Sequence, residues 1–121
     1  MSVRLRRLEY PGDHAAGSQA RVLYKLGVRA EAEGNMERAA GWFRKAAEAG
    51  IPEAALRLGG VLGHLAEQPA GKAKASPEQL LAEASRWASG AGAGPDKMML
   101  ITDLLNRQQR LAARRALETV S

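Results

Sequence analysis

Arg107, Arg110 and Arg114 stand at i, i+3 and i+7, with Arg115 beside them. On a helix that spacing gathers three guanidinium groups on one face. Such a stripe can grip phosphates, an acidic protein or an anionic membrane surface. It is equally what a solvated back face looks like near a helix C-terminus, where the helix dipole favours arginine. A second basic series, Arg21, Lys25 and Arg29, repeats every four residues. Adjacent like charges at that spacing disfavour an isolated helix by about 0.2–0.5 kcal/mol per pair, so something in the fold has to offset them.

Other stretches imitate chemistry without supplying its parts. His14 and His64 lie in different elements; His14 has no carboxylate or second histidine at i+3 or i+4, and His64 has only Glu67 at i+3, too few ligands for a metal site. Gly90-Ala91-Gly92-Ala93-Gly94 resembles a phosphate-cradling loop, but such a loop follows a strand, and the sequence before it is helical. A flexible connector fits it better. Gly71-Lys72 lacks the earlier glycine of a Walker motif, since Ala66 stands there, and Ala73 replaces the hydroxyl that would hold magnesium. Gly59 and Gly63 have a membrane-dimer spacing, yet Arg57 and His64 sit in a segment too short to span, so close packing in water is the better reading. No serine sits in a nucleophile elbow, and Glu31/Glu33 and Asp96/Asp103 read as solvated-face charges. The expectation is a non-enzyme with no catalytic residues, cofactor or metal.

The elements that would position the basic residues centre on 20–50, which reads as two amphipathic helices joined at Gly34-Asn35. In the second helix Ala39, Trp42, Phe43, Ala46 and Ala47 share a stripe, so Trp42 is expected to be buried between helices rather than to serve as a ligand platform. In the first, Ala20, Leu23, Leu26, Gly27 and Ala30 share a face, with Tyr24 at its edge and Gly27 admitting a neighbour closely. Ser18 is a candidate cap for the first helix, which runs to about Glu33; the second runs from about Met36 to Ala49. Gly50 and Pro52 separate it from a third helix ending near Glu67. The glycines inside that helix, Gly59, Gly60 and Gly63, each cost roughly 1 kcal/mol against alanine, which implies a compensating close contact. Ser76-Pro77-Glu78-Gln79 opens a fourth helix to about Ser89, with Leu80, Leu81, Ala84, Trp87 and Ala88 inward. Pro95-Asp96 opens a last one to about Glu118.

Tyr24, Leu26-Gly27, Gly34, Ala39, Trp42-Phe43, Ala46-Ala47 and Gly50, followed by Ala54 and Leu58-Gly59, resemble the Sel-one-like class of tetratricopeptide-type helical repeats. The offset from Leu26 to Leu58 is 32 residues, close to the roughly 34 of tetratricopeptide units. Ala84-Ser85-Arg86-Trp87 echoes Ala39-Ala40-Gly41-Trp42 at an offset of 45, as an insertion in the second unit would produce. The resemblance implies an all-α fold: tetratricopeptide-like helical hairpins forming a short α-solenoid of about five helices with a capping C-terminal helix. Repeat 1 would span 18–50, and a degenerate repeat 2 would span 51–90 with a linker at 68–75. The cap, 95–118, would close the open end alone or with a second subunit through Leu104, Leu105 and Leu111. It also implies a non-catalytic adaptor whose first helices line a concave surface. There Arg21, Lys25, Val28, Arg29, Arg57 and His64 would form a basic groove with an apolar floor, with Glu53 beside Arg21. An acidic or carboxylate-bearing protein segment would suit it; interhelical salt bridges that leave no free groove are the competing arrangement.

Composition fits one domain of 121 residues, and the absence of cysteine excludes disulfides and thiolate metal sites. Aromatic residues make up only 4%, so the core has to come from close helix packing. The net charge of +5 belongs to the ends: 1–10 carry +2, 104–121 carry +3, and the middle sums to zero. Val3-Arg4-Leu5-Arg6 alternates as an extended arm would, within an N-terminal arm at 1–17, and Tyr10-Pro11-Gly12-Asp13 suits a type II turn. The alternative function is therefore nucleic-acid binding by the basic ends, through Arg107, Arg110, Arg114 and Arg115. With no secretory h-region and no long apolar run, a cytoplasmic protein without membrane association is expected. Arginine-over-lysine and Ala/Gly-rich usage suggest a bacterial source.

Overall fold

Two glycines set the first reversals of the chain. Gly34 and Gly50 adopt φ of 81° and 98°, a left-handed conformation that other residues rarely take. Each closes a helix by the same pair of bonds: Asn35 N donates to Ala30 O and Gly34 N to Glu31 O, then Ile51 N to Ala46 O and Gly50 N to Ala47 O. The residue after each glycine starts the next helix. Asn35 caps it with its side-chain oxygen on Arg38 N at 3.2 Å, and Ile51 leads into Pro52 at the first helical position.

The computed structural model describes residues 18–68, 75–92 and 94–120, and every regular element in them is a helix. These are α1 (18–32), α2 (Met36–Glu48), α3 (Pro52–Ala66), α4 (Pro77–Gly90) and α5 (Pro95–Val120). The chain is all-α. The arm at 1–17, its proposed turn at Tyr10–Asp13, His14 and most of the linker at 68–75 lie outside the described residues. Ser18 is already helical rather than preceding the helix as its cap. Ser76 caps α4 as its sequence implies: its hydroxyl accepts from Gln79 N while Gln79 Oε1 accepts from Ser76 N, at 3.2 and 2.9 Å.

The central helix is α3, with nine of its fifteen residues buried and with α2, α4 and α5 packed against it. Tyr24 and Phe43 join α1 to α2 with ring centroids 5.7 Å apart. Phe43 is fully buried and sits where α1 has no side chain; a Cβ on Gly27 would fall 2.6 Å from its ring carbons. Trp42, expected in the core, is instead half-buried with Lys45 Nζ 5.4 Å above its ring. The α2 core stripe is Ala39, Ala40, Phe43 and Ala46, so Trp42 lies at its margin. Trp87 is half-buried for a related reason, since its indole N–H reaches a carboxylate at the edge of the packing.

The compensating contact for the α3 glycines is α5. A Cβ on Gly59 would meet Leu100 Cδ2 at 2.8 Å, and one on Gly63 would meet Arg107 and Leu104 at 3.1 and 3.2 Å. Gly60 meets nothing, so only two of the three glycines are needed for this approach. Gly59 stands 32 residues after Gly27, and its empty side-chain position is likewise filled from a neighbouring helix. Leu100 from α5 occupies it. Leu104 is buried and Leu111 packs half-buried against the core, so both face inward, while Leu105 points out. Lys97 Nζ then fixes the α4–α5 connection by donating to Ser89 O and Gly92 O at 3.0 and 2.9 Å.

Candidate functional site

Along α3, Glu53, Arg57, Gly60 and His64 recur at i, i+4, i+7 and i+11, a single line of the helix that stays open to solvent or nearly so. The flanking helices reach this line with charge. From α1, Arg21 meets Glu53 at 3.5 Å, and Glu31 accepts from Arg57 at 3.2 Å. Arg57 also lies over the Tyr24 ring, 5.8 Å from its centroid. Partial burial pulls the Arg57 guanidinium down, but Tyr24 and Glu31 outweigh it and raise its pKa.

From α5, Arg107 and Arg110 converge on Glu67 at the end of the same line. Arg110 grips it with two bonds, Nε to Oε2 at 2.9 Å and Nη2 to Oε1 at 3.0 Å. Arg107 donates to Glu67 Oε1, to Gly63 O at 2.9 Å and to Asp103 Oδ2 at 2.7 Å. Only 19% of its side chain is exposed, and Gly63 makes room for it. The hydrogen bond from Arg110 holds the Glu67 carboxyl below the usual carboxylate range despite partial burial, and the charge of Arg107 adds to it. Farther along α5, Arg115 bonds Glu78 at 2.8 Å and Glu118 at 3.2 Å.

The proposed groove residues are therefore brought to one face, but most of their charge is already paired there. Arg21 has Glu53, Arg57 has Glu31, and Arg29 has Glu33 in an exposed i,i+4 contact at 3.5 Å. Lys25 has no carboxylate within 4 Å among the described residues. Val28 is half-buried beside it, and His64 is exposed on the α3 line. Among the C-terminal arginines, Arg107, Arg110 and Arg115 are engaged in ion pairs, and Arg114 has no carboxylate within 4 Å among the described residues. Counting α1, α3 and the adjoining edge of α5, seven basic side chains share this face with five carboxylates, an excess of two.

The sequence reading missed a second set of polar residues. Arg44 of α2 clamps Glu83 of α4 through Nε–Oε2 at 2.7 Å and Nη2–Oε1 at 2.9 Å, and Trp87 Nε1 donates to the same carboxylate at 3.1 Å. The Arg44 hydrogen bond keeps Glu83 below the usual carboxylate range although burial opposes it. This clamp ties α2 to α4. Nothing in Arg44 or Glu83 alone signals it; the echo of Trp42 in Trp87 is the one hint that their helices occupy corresponding places.

Among the described residues no three His, Cys, Asp or Glu side chains are grouped to hold a metal, and no helix is long and apolar enough to cross a membrane. Comparison with protein-family models, with curated proteins and with solved structures returned no match for this chain.

Proposed function

We propose that this chain is a non-catalytic protein-interaction module of tetratricopeptide-like, Sel-one-like architecture, and that it holds an acidic or carboxylate-bearing protein segment on the face of α1, α3 and α5. The observation that carries this reading is the state of Lys25. Each glutamate bordering it on this face is matched to another arginine, so among the described residues a positive charge stands unmatched next to the half-buried Val28. Arg29 supports it, because an exposed i,i+4 pair is worth only about 0.3–0.5 kcal/mol and yields readily to an incoming carboxylate. Arg57, bonded to Glu31 and set over Tyr24, then acts as a fixed border, with the exposed Arg21–Glu53 pair beside it, while His64 lies along the path of a bound segment. Nucleic-acid binding draws less support, since a phosphate would have to displace Glu67 from Arg107 and Arg110, or Glu78 from Arg115.

The test is selection from a peptide library displayed with free C-termini. Acidic sequences should be enriched, and amidating the terminus or neutralising the acidic side chains should weaken the selected peptides. Enrichment of basic or uncharged sequences would contradict the reading.

A further inference from the structure

A helix that caps a domain normally alternates an inward apolar face with an outward charged one, and α5 does not. Projected at about 100° per residue, all eight of its charged side chains fall in one sector of roughly 140°, the sector through which α5 meets α3 and α4. Met98, Thr102, Leu105, Gln109, Ala112 and Ala116 fall together in a sector of about 80° that carries no charge, and all six are exposed. Met98 is 63% and Leu105 53% exposed, so large apolar side chains are turned to solvent on a surface that could have been charged without cost to the core.

We propose that this face is where a second copy of the chain docks, as an antiparallel pair of α5 helices related by a two-fold axis at Leu105. The register follows from spacing. Met98, Leu105 and Ala112 stand at i, i+7 and i+14, so pairing about Leu105 sets each Met98 opposite the partner copy's Ala112. Beside Ala112 lies a groove of about 270 Å³ between α4 and α5, walled by Leu81, Ala82 and Leu111 and bordered by Gln108 and the Arg115–Glu78 ion pair. One copy thus carries both the projecting side chain and the recess that receives it, and the two-fold uses each twice. Thr102 and Gln109 flank the axis with groups able to hydrogen-bond each other.

The chemistry disfavours other occupants. An acidic peptide or a nucleic acid would find no cation in the uncharged strip itself, and Arg115, at the border of the recess, is bonded to Glu78 and Glu118; an interfacial membrane helix would carry unpaired basic residues beside the apolar ones. The strip is about 28 Å long and buries on the order of 450 Å² per copy, near half of a standard interface, so a micromolar, concentration-dependent dimer is expected. The face is distinct from the ion-paired one, and its test is independent of peptide binding.

Sedimentation of the full chain from about 5 to 500 µM should show a monomer–dimer equilibrium that tightens with added salt, because screening relieves repulsion between copies of +5 charge. Leu105→Glu should weaken association more than about 100-fold at an unchanged thermal midpoint, and Arg114→Glu should leave it intact. The absence of cysteine makes the geometry directly readable. Leu105→Cys should oxidise to a linked dimer. Met98→Cys alone should not, since two such positions would lie about 21 Å apart, but Met98→Cys with Ala112→Cys should. A monomer throughout the range, a dimer that survives Leu105→Glu, or efficient linking through Met98→Cys alone would each overturn the proposal.

Discussion

Gly27 and Phe43 show at the residue scale what the sequence carries and what it withholds. The stripe of α2 is legible, but Trp42 and Phe43 are adjacent on it and periodicity alone does not choose between them. The choice is made sixteen residues upstream, where Gly27 leaves a socket that Phe43 fills. Phe43→Ala should therefore cost about 3–5 kcal/mol, against ~1–2 kcal/mol for the half-buried Trp42→Ala. The glycines offer a sharper contrast by chemical denaturation. Gly27→Ala forces a methyl against a buried ring and should destabilise by about 1–3 kcal/mol, although alanine is the better helix former. Gly60→Ala meets open space and should stabilise by roughly 0.5–1 kcal/mol. Equal effects at the two sites would show that the socket does not constrain Phe43.

At the scale of elements, the helix boundaries were readable because caps are local. Gly34, Gly50 and the Ser76-Pro77-Glu78-Gln79 sequence act within one turn, and the structure ends or begins helices there to within a residue or two. The ion pairs were not readable, because Arg44–Glu83 and Arg110–Glu67 join residues 39 and 43 apart. Docking of helices, not local sequence, makes them neighbours, so arginines that look like a phosphate stripe are in large part bonded to α3 and α4. Acid should expose this wiring. Glu67 and Glu83 bind protons less readily folded than unfolded, so their contribution is fully present above the unfolded carboxylate value near 4.5 and is lost as pH falls through and below it. The thermal midpoint should hold between about pH 7 and 5.5 and fall below ~4.5, and Glu83→Gln should lower the plateau while making the fall shallower. Parallel curves for the two proteins would mean that the clamp does not contribute.

The whole molecule separates its charge by face. Net charge of +5 places positive residues at both ends of the chain, yet the folded C-terminal half spends most of its arginines internally. What is left is an ion-paired face with a small cationic excess on one side and an uncharged helical face on the other. A dimer through α5 would leave two such cationic faces available, so tethered acidic segments would gain from binding both at once. The central proposal is that Lys25, with no carboxylate within 4 Å among the described residues, and Arg29, held only by an exposed i,i+4 pair with Glu33, recognise a carboxylate. The most direct measurement is the dissociation constant of a selected acidic peptide for the native chain and for the Lys25→Glu, Arg29→Glu double variant, with helicity and thermal midpoint followed in parallel. Affinity should fall at least about tenfold, equivalent to ~1.4 kcal/mol, with the fold unchanged; an unchanged affinity in a folded variant would contradict the account.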